Sequence, residues 1–290
     1  MVEPEPILVV GGSGLLGEAL QSELAARGRR SSAPTRRQLD LTDPRRVDAW
    51  LDRHRPAAVI NAAAYSDVTR AERPDQCEQV FLLNRDAPAD LALRCRRRGI
   101  AFVYISTDFV FDGTANRPYV EGDEPRPLQV YGRSKLAGER AVSRAHPESL
   151  IVRTSTLFGP GRRPRPHYVD AVLAQARKGG RVEVVRQPVS SPTFTSDLAA
   201  ALVELVDRGS TGVLHLVNDG ACSRLELARA AVRIVGFAER VEVVERPTPD
   251  DGPQRPAYSV LDTTELAARL GRRLRSWDEA LAAYLAPRDG

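Results

Sequence analysis

The chain has 290 residues, enough for one large domain with an appended lobe or two modest domains sharing an interface, and its 42% hydrophobic and 28% charged residues are an ordinary globular composition. No segment approaches the roughly 20 consecutive apolar residues of a membrane span, and the 42 Lys and Arg are dispersed among 38 Asp and Glu, so neither a membrane nor a nucleic acid is an expected partner. Cys77, Cys95 and Cys222 are odd in number and lack metal-ligand or CxxC spacing, which excludes a disulfide framework and leaves no metal site to expect.

The opening MVEPEPILVV carries two glutamates and two prolines where a secretory signal would be basic, so the expected location is cytoplasmic. Ile7 to Val10 form a short apolar run, followed by a glycine-rich turn and a periodic helix from about Leu15 to Arg27, closed by Gly28. A second strand ends near Pro34. Asp43 and Pro44 read as N-cap and first helical residue of a helix reaching about His54, and AAVINAA supplies the next buried strand. Two helical stretches between Pro74 and Arg98 precede the strand AFVYIS, residues 101 to 106. RCRRRG, residues 94 to 99, reads either as the cationic last turn of a helix stopped by Gly99 or as a phosphate-binding patch. A helix carrying VYGRSKLAGE and the strand LIVRTS then complete an alternation that predicts an α/β fold, a Rossmann-type doubly wound parallel sheet covered on both faces.

Beyond about Ser155 the rhythm loosens into a smaller C-terminal lobe, in which Ser223 with Glu226 and Ser276 with Glu279 have capping-box spacing. The division expected is a dinucleotide-binding domain over residues 1–155 and a mainly substrate-binding lobe over 156–290, with some of its segments returning to the sheet.

VVGGSGLLGEAL places Gly11, Gly14 and Gly17 between the first strand and first helix. There they permit a tight turn, close backbone approach of a diphosphate and close helix packing, and the amides at Leu15 and Leu16 open the helix toward the anion. Where an NAD-selective site would place a carboxylate after the second strand, this chain has Arg36 and Arg37, which favours NADPH while leaving NADH open. Asp40 and Leu41 border the adenine in this reading, and Ala62 and Ala63 are small enough for a cofactor to approach the backbone.

Tyr131 and Lys135 lie one helical turn apart on one face. A phenol with a pKa near ~10 is a reluctant acid or base unless positive charge stabilises its anion, which a compact ammonium does at a shared site. Ser106 and Thr107 sit at the end of AFVYIS, beyond the carboxyl ends of the strands where such folds bind ligands. One of them, Thr107 by preference, hydrogen-bonds a carbonyl that Tyr131 protonates while the cofactor delivers hydride, so the constellation reads as carbonyl reduction.

Taken together, GGSGLLG, NAAAYSDVTRAE, STDFVFDG and VYGRSKLAGE resemble the extended short-chain dehydrogenase/reductase superfamily and, within it, the dTDP-4-dehydrorhamnose reductases. The likeness extends over nearly the whole chain, including SSPT at 190 to 193 and RPAYSVLDT at 255 to 263. The resemblance implies Thr107, Tyr131 and Lys135 as the catalytic trio and Asn84 as a helper near the cofactor. It further implies a nucleotide-diphosphate sugar between the lobes, beside Ser106, Asp108 and Arg255. The implied reaction is reduction of the C4 carbonyl of dTDP-4-dehydro-L-rhamnose to dTDP-L-rhamnose, or of another dTDP-4-keto-deoxysugar; a homodimer stays open. Departures from the pattern are Thr156 in place of a tryptophan near the sugar, and His167 and Tyr168 in place of asparagine and phenylalanine. Arg162, Arg163 and Arg165 offer charge either to a diphosphate or to solvent. Phe109, where related dehydratases carry a glutamate, argues against elimination, and the absence of GxSxG argues against an esterase. A non-catalytic NADP-binding regulator is the remaining rival.

Overall fold

The computed structural model describes residues 6–161, 166–247 and 252–286; Arg162, Arg163 and Arg165 lie outside them. The first half runs β1 (Ile7–Val10), α1 (Leu15–Ala26), β2 (Ser31–Ser32), α2 (Pro44–His54), β3 (Ala58–Asn61), α3 (Val68–Ala71), α4 (Cys77–Phe81), α5 (Ala87–Arg96), β4 (Ala101–Thr107), α6 (Val130–Ala145) and β5 (Leu150–Thr154). It continues with β6 (Leu157–Phe158), α7 (Tyr168–Ala176), β7 (Gly180–Val184), β8 (Val189–Ser190), β9 (Thr193–Phe194), α8 (Thr195–Asp207) and β10 (Gly212–His215). The last elements are β11 (Cys222–Ser223), α9 (Arg224–Ile234), β12 (Val241–Glu245), α10 (Thr264–Leu270) and α11 (Trp277–Leu285).

Among the described residues the central sheet has six strands in the order β10-β5-β4-β3-β1-β2, all parallel. Its strands are apolar on both faces because both are covered. Ile7, Val9 and Ile60 pack with α1 and α8 on one side, and Leu8, Val59 and Phe102 with α2 and α5 on the other. The chain leaves β1 in one direction to β2 and returns on its other side to β3, so the crevice beyond the carboxyl ends of β1 and β3 is a topological switch point.

Not all of the C-terminal half forms the smaller lobe. β10 pairs with β5 from Gly212↔Leu150 to His215↔Arg153, and Leu198 and Leu202 of α8 and Leu266 of α10 join the sheet's core. The lobe itself is built on α7, α9, α11 and the β7–β12 pair, with its own apolar clusters. Both capping boxes form, opening α9 and α11. In the RCRRRG segment Arg94 pairs with Asp90 and Asp48, and Arg98 with Asp48 and Asp52, so these arginines tie α5 to α2 and are not offered to a phosphate. No helix among the described residues is long and apolar enough to cross a membrane.

The two helical stretches expected between Pro74 and Arg98 form one continuous run with a π-turn at Leu82–Asp86. Pro88 explains it: lacking an N–H, it cannot bond the carbonyl four residues back, that of Asn84. That carbonyl instead accepts the Tyr104 hydroxyl at 2.6 Å. The released turn aims the Asn84 side chain at the loop after β3, where it accepts from Tyr65 N and donates to Tyr65 O and to Ser134 Oγ of α6.

Candidate active site

The glycine turn is as tight as its sequence requires. Gly11 has φ +81°, and a Cβ there would sit 2.6 Å from the amide nitrogen of Ala63 and 2.8 Å from the carbonyl carbon of Ala62. A Cβ on Gly17 would meet the Gly11 carbonyl oxygen at 2.2 Å. Gln21 braces the turn by donating to the carbonyls of Gly12 and Gly17. Gly14 is the N-cap of α1 and offers no side-chain acceptor, so the amides of the first helical turn are left for an anion. This donor set fits a dinucleotide diphosphate.

A cavity of about 580 Å³ extends from this turn. Gly11, Gly14, Leu15, Leu16, Ala62 and Ala63 line one end, and Ser106, Thr107, Asp108, Tyr131 and Lys135 line its middle. Lys135 is only 1% exposed; its Nζ donates to the Ile105 carbonyl at 2.5 Å and lies 3.9 Å from the centroid of the Tyr104 ring. Burial brings the amine down to about 7, opposed by the Glu139 carboxylate one turn further along α6. Burial pushes the Tyr131 phenol up to about 12, a Thr107 hydrogen bond works the other way, and the Asp108 charge adds to the rise. In this conformation the Lys135 Nζ bonds the Ile105 carbonyl, and burial is what governs the phenol. A phenol held protonated is the form that donates a proton to a carbonyl oxygen. Phe109 packs edge-on against it, ring centroids 6.2 Å apart.

Asp108 closes the floor. Its carboxylate accepts from Ser259 Oγ at 2.6 Å, Ser155 Oγ at 2.8 Å and Thr107 Oγ1 at 3.1 Å, so it ties the end of β4 to a segment 151 positions away. Burial raises its pKa, and the three hydroxyls pull the other way. The far wall comes from the lobe: Thr156, His167, Tyr168, Arg224 and Arg255. Thr156 holds φ +40°, and its hydroxyl meets Ser190 Oγ at 2.9 Å, a strained backbone facing the cavity. Arg224 stacks on Tyr168 at 5.0 Å, and among the described residues no carboxylate pairs with Arg224 or Arg255. Burial, then the neighbouring Arg255 charge, brings Arg224 down to about 10, and burial lowers Arg255 as well. Two half-buried cations without counter-charge make a receptor for a strong anion.

The RmlD substrate binding domain model matches residues 5–289. The chain belongs to that family. The dTDP-4-dehydrorhamnose reductase of Mycobacterium tuberculosis is 39% identical over 97% of this chain and 93% of its own length. The dTDP-4-keto-6-deoxy-D-glucose reductase of Streptomyces niveus is 37% identical over 94% of each. Among solved structures, the dTDP-4-dehydrorhamnose reductase of Bacillus anthracis in complex with NADP superposes with a TM-score of 0.90 at 29% identity, covering 97% of this chain and 98% of that one.

Within this family member some expected residues stand apart from the cavity wall. Arg36 and Arg37 are exposed on the turn after β2, Arg36 3.8 Å from Asp40, and neither these three nor Leu41 line the cavity. The segment nonetheless begins against the glycine turn, since a Cβ on Gly12 would meet that of Ala33 at 2.6 Å. Asn84 is fully buried behind the wall, holding the Tyr65 loop to α6. Arg224 escaped the sequence reading because nothing distinguishes it from the chain's other arginines. Glu139 and Arg153 also escaped it, although a charge inside the apolar strand LIVRTS was a usable signal that a buried partner exists.

Proposed function

We propose that this chain is an NADPH-dependent reductase acting on the C4 carbonyl of a dTDP-4-keto-6-deoxysugar, converting dTDP-4-dehydro-L-rhamnose to dTDP-L-rhamnose. The observation that carries the reading is that Thr107, Tyr131 and Lys135 share one cavity with a glycine turn at one end and, at the other, two arginines that no carboxylate among the described residues pairs with. The names of the relatives over almost their whole length support it, and NADP in the Bacillus anthracis structure supports the cofactor. NADPH, when bound, supplies hydride to the carbonyl carbon. The glycine turn and the first-turn amides of α1 hold its diphosphate, and Arg36 and Arg37 face the 2'-phosphate. Thr107 turns its hydroxyl from Asp108 to the substrate oxygen, and Tyr131 gives that oxygen its proton. The phenolate left behind attracts the Lys135 ammonium from the Ile105 carbonyl and regains a proton from it, and the amine is reprotonated from solvent. Arg224 and Arg255 take the sugar nucleotide's diphosphate. Both co-substrates are highly charged and do not cross membranes unaided, which supports a cytoplasmic location.

A second reading, reduction of a different dTDP-4-keto-6-deoxysugar by the same residues, is favoured by the Streptomyces niveus relative. Incubation with authentic dTDP-4-dehydrorhamnose, following loss of NADPH absorbance and reading the ring couplings of the product by NMR, separates the two by the configuration at C4. Tyr131→Phe is expected to keep NADPH binding and lose about 100- to 10,000-fold in kcat. Full kcat in that variant rejects the assignment, and wild-type protein that binds NADPH but never oxidises it with any 4-ketosugar nucleotide favours a regulatory subunit.

A further inference from the structure

The floor beneath Lys135 holds a charged cluster that the reaction as described leaves unused. Arg153 of β5 donates from Nε and Nη2 to both carboxylate oxygens of Glu139, at 3.0 and 2.8 Å, and the two side chains are 5% and 4% exposed. Ser106, on the cavity wall, donates its only hydroxyl hydrogen to Glu139 Oε1 at 2.5 Å. Glu139 lies one turn beyond Lys135 on α6, on the same face, and the groups that touch the amine are neutral: the Ile105 carbonyl and the Tyr104 ring, both from β4. Asp108, at the end of β4, is already engaged by three hydroxyls. Two buried cations thus share one carboxylate, and the one with bidentate geometry holds it.

We propose that the Arg153–Glu139 pair is a positioning device, which sets how much negative charge reaches the Lys135 ammonium and turns the Ser106 hydroxyl so that only its lone pairs face the cavity. This rests on the reductase reading for its purpose, though not for its test. Two consequences follow from the geometry. Ser106 accepts hydrogen bonds from a ligand hydroxyl or amide and cannot polarise a carbonyl, which leaves that task to Thr107. Arg153 holds both oxygens of Glu139, so Lys135 forms no closed ion pair with that carboxylate and its Nζ bonds the neutral Ile105 carbonyl, a partner it can exchange for the charge that develops on Tyr131. A purely structural ion pair predicts neither.

The chain has two lysines, Lys135 and the exposed Lys178, so protein labelled with ¹³C at lysine Cε gives one signal for each, with Lys178 as internal reference. In the ligand-free wild type the Lys135 signal is expected to titrate near neutrality, in line with the pull of burial on it. Glu139→Gln should move that midpoint down by about one pH unit or more, and Arg153→Met should move it up, because each removes the opposite sign of charge. Ser106→Ala, a change small enough to keep the fold, frees one lone pair of Glu139 and should also move it up. In steady-state kinetics the alkaline limb of kcat should follow the NMR midpoint in Glu139→Gln and in Arg153→Met, a link that a merely structural ion pair does not produce. Shifts in the same direction for Glu139→Gln and Arg153→Met overturn the proposal, as does an unmoved midpoint in Ser106→Ala should either of the others fail to fold. The titrations need no substrate. Their failure therefore rejects this inference alone, whereas wild-type protein inert toward every ketosugar rejects the activity reading and leaves the titrations standing.

Discussion

Replacing His215 by leucine is expected to remove a large share of the fold's acid sensitivity. His215 ends β10, is 0% exposed, and packs edge-on against Phe111 with ring centroids 5.8 Å apart. Among the described residues neither imidazole nitrogen makes a well-formed hydrogen bond, although the Tyr119 and Asp262 backbone faces the ring; Glu121 Oε1, 4.0 Å from Nδ1, is taken by the backbone amide of His215 at 2.8 Å. Burial, then the charge of Arg153, brings the imidazole down to about 3, with the Tyr119 and Asp262 backbone weakly opposing. An unfolded histidine titrates near ~6.5. Between the two values the unfolded chain binds a proton that the folded chain refuses, so stability is complete above about pH 6.5 and falls as the pH drops toward the folded value. From pH 7 to pH 5 the loss from this group is about 2 kcal/mol. Urea unfolding at both pH values measures it. The wild type should lose about 2 kcal/mol more than His215→Leu over that interval, and equal losses in the two proteins would refute the neutral state of the imidazole.

Gly17→Ala should weaken NADPH binding and cost about 1–3 kcal/mol of stability, because the new methyl group must push α1 off the Gly11 carbonyl. Gly28→Ala is its control, with nothing within 4 Å but φ +64°, and should lower the melting temperature without touching a fluorescence titration of NADPH. Replacing Arg36 and Arg37 by alanine together should lower affinity for NADPH much more than for NADH in the same titration, and equal losses would remove them from the 2'-phosphate site. Arg224→Met should raise the dissociation constant of dTDP in calorimetry by about 10- to 100-fold, the worth of one charge-assisted hydrogen bond of about 1.5–3 kcal/mol, with NADPH affinity unchanged.

The parts of the fold that sequence made legible are those governed by local chemistry. The glycine turn, the Asp43–Pro44 helix start and both capping boxes are decided within a few residues, and each forms as read. Tyr131 and Lys135 were legible as a pair because helical spacing alone brings them to one face. The direction of the Lys135 amine was not, since it depends on a carbonyl 30 positions away on β4. The π-turn was likewise hidden: Pro88 announces a missing donor, but the Tyr104 hydroxyl that makes the defect tolerable comes from another strand. Which C-terminal segment returns to the sheet, namely β10, and the meeting of Arg224 with Arg255 are long-range events with no local signature.

That return has a consequence for how the chain can be made. A ribosome that has just finished β5 has produced the whole glycine turn and the helix that carries Tyr131 and Lys135, yet the sheet still ends on an open strand whose amides and carbonyls await β10, more than fifty residues downstream. Until that strand emerges, the nascent half-protein carries a sticky flank able to zip onto another copy. A chain cut at the boundary between the lobes would leave this flank permanently bare, so the N-terminal half is completed only by strand and helices encoded after it.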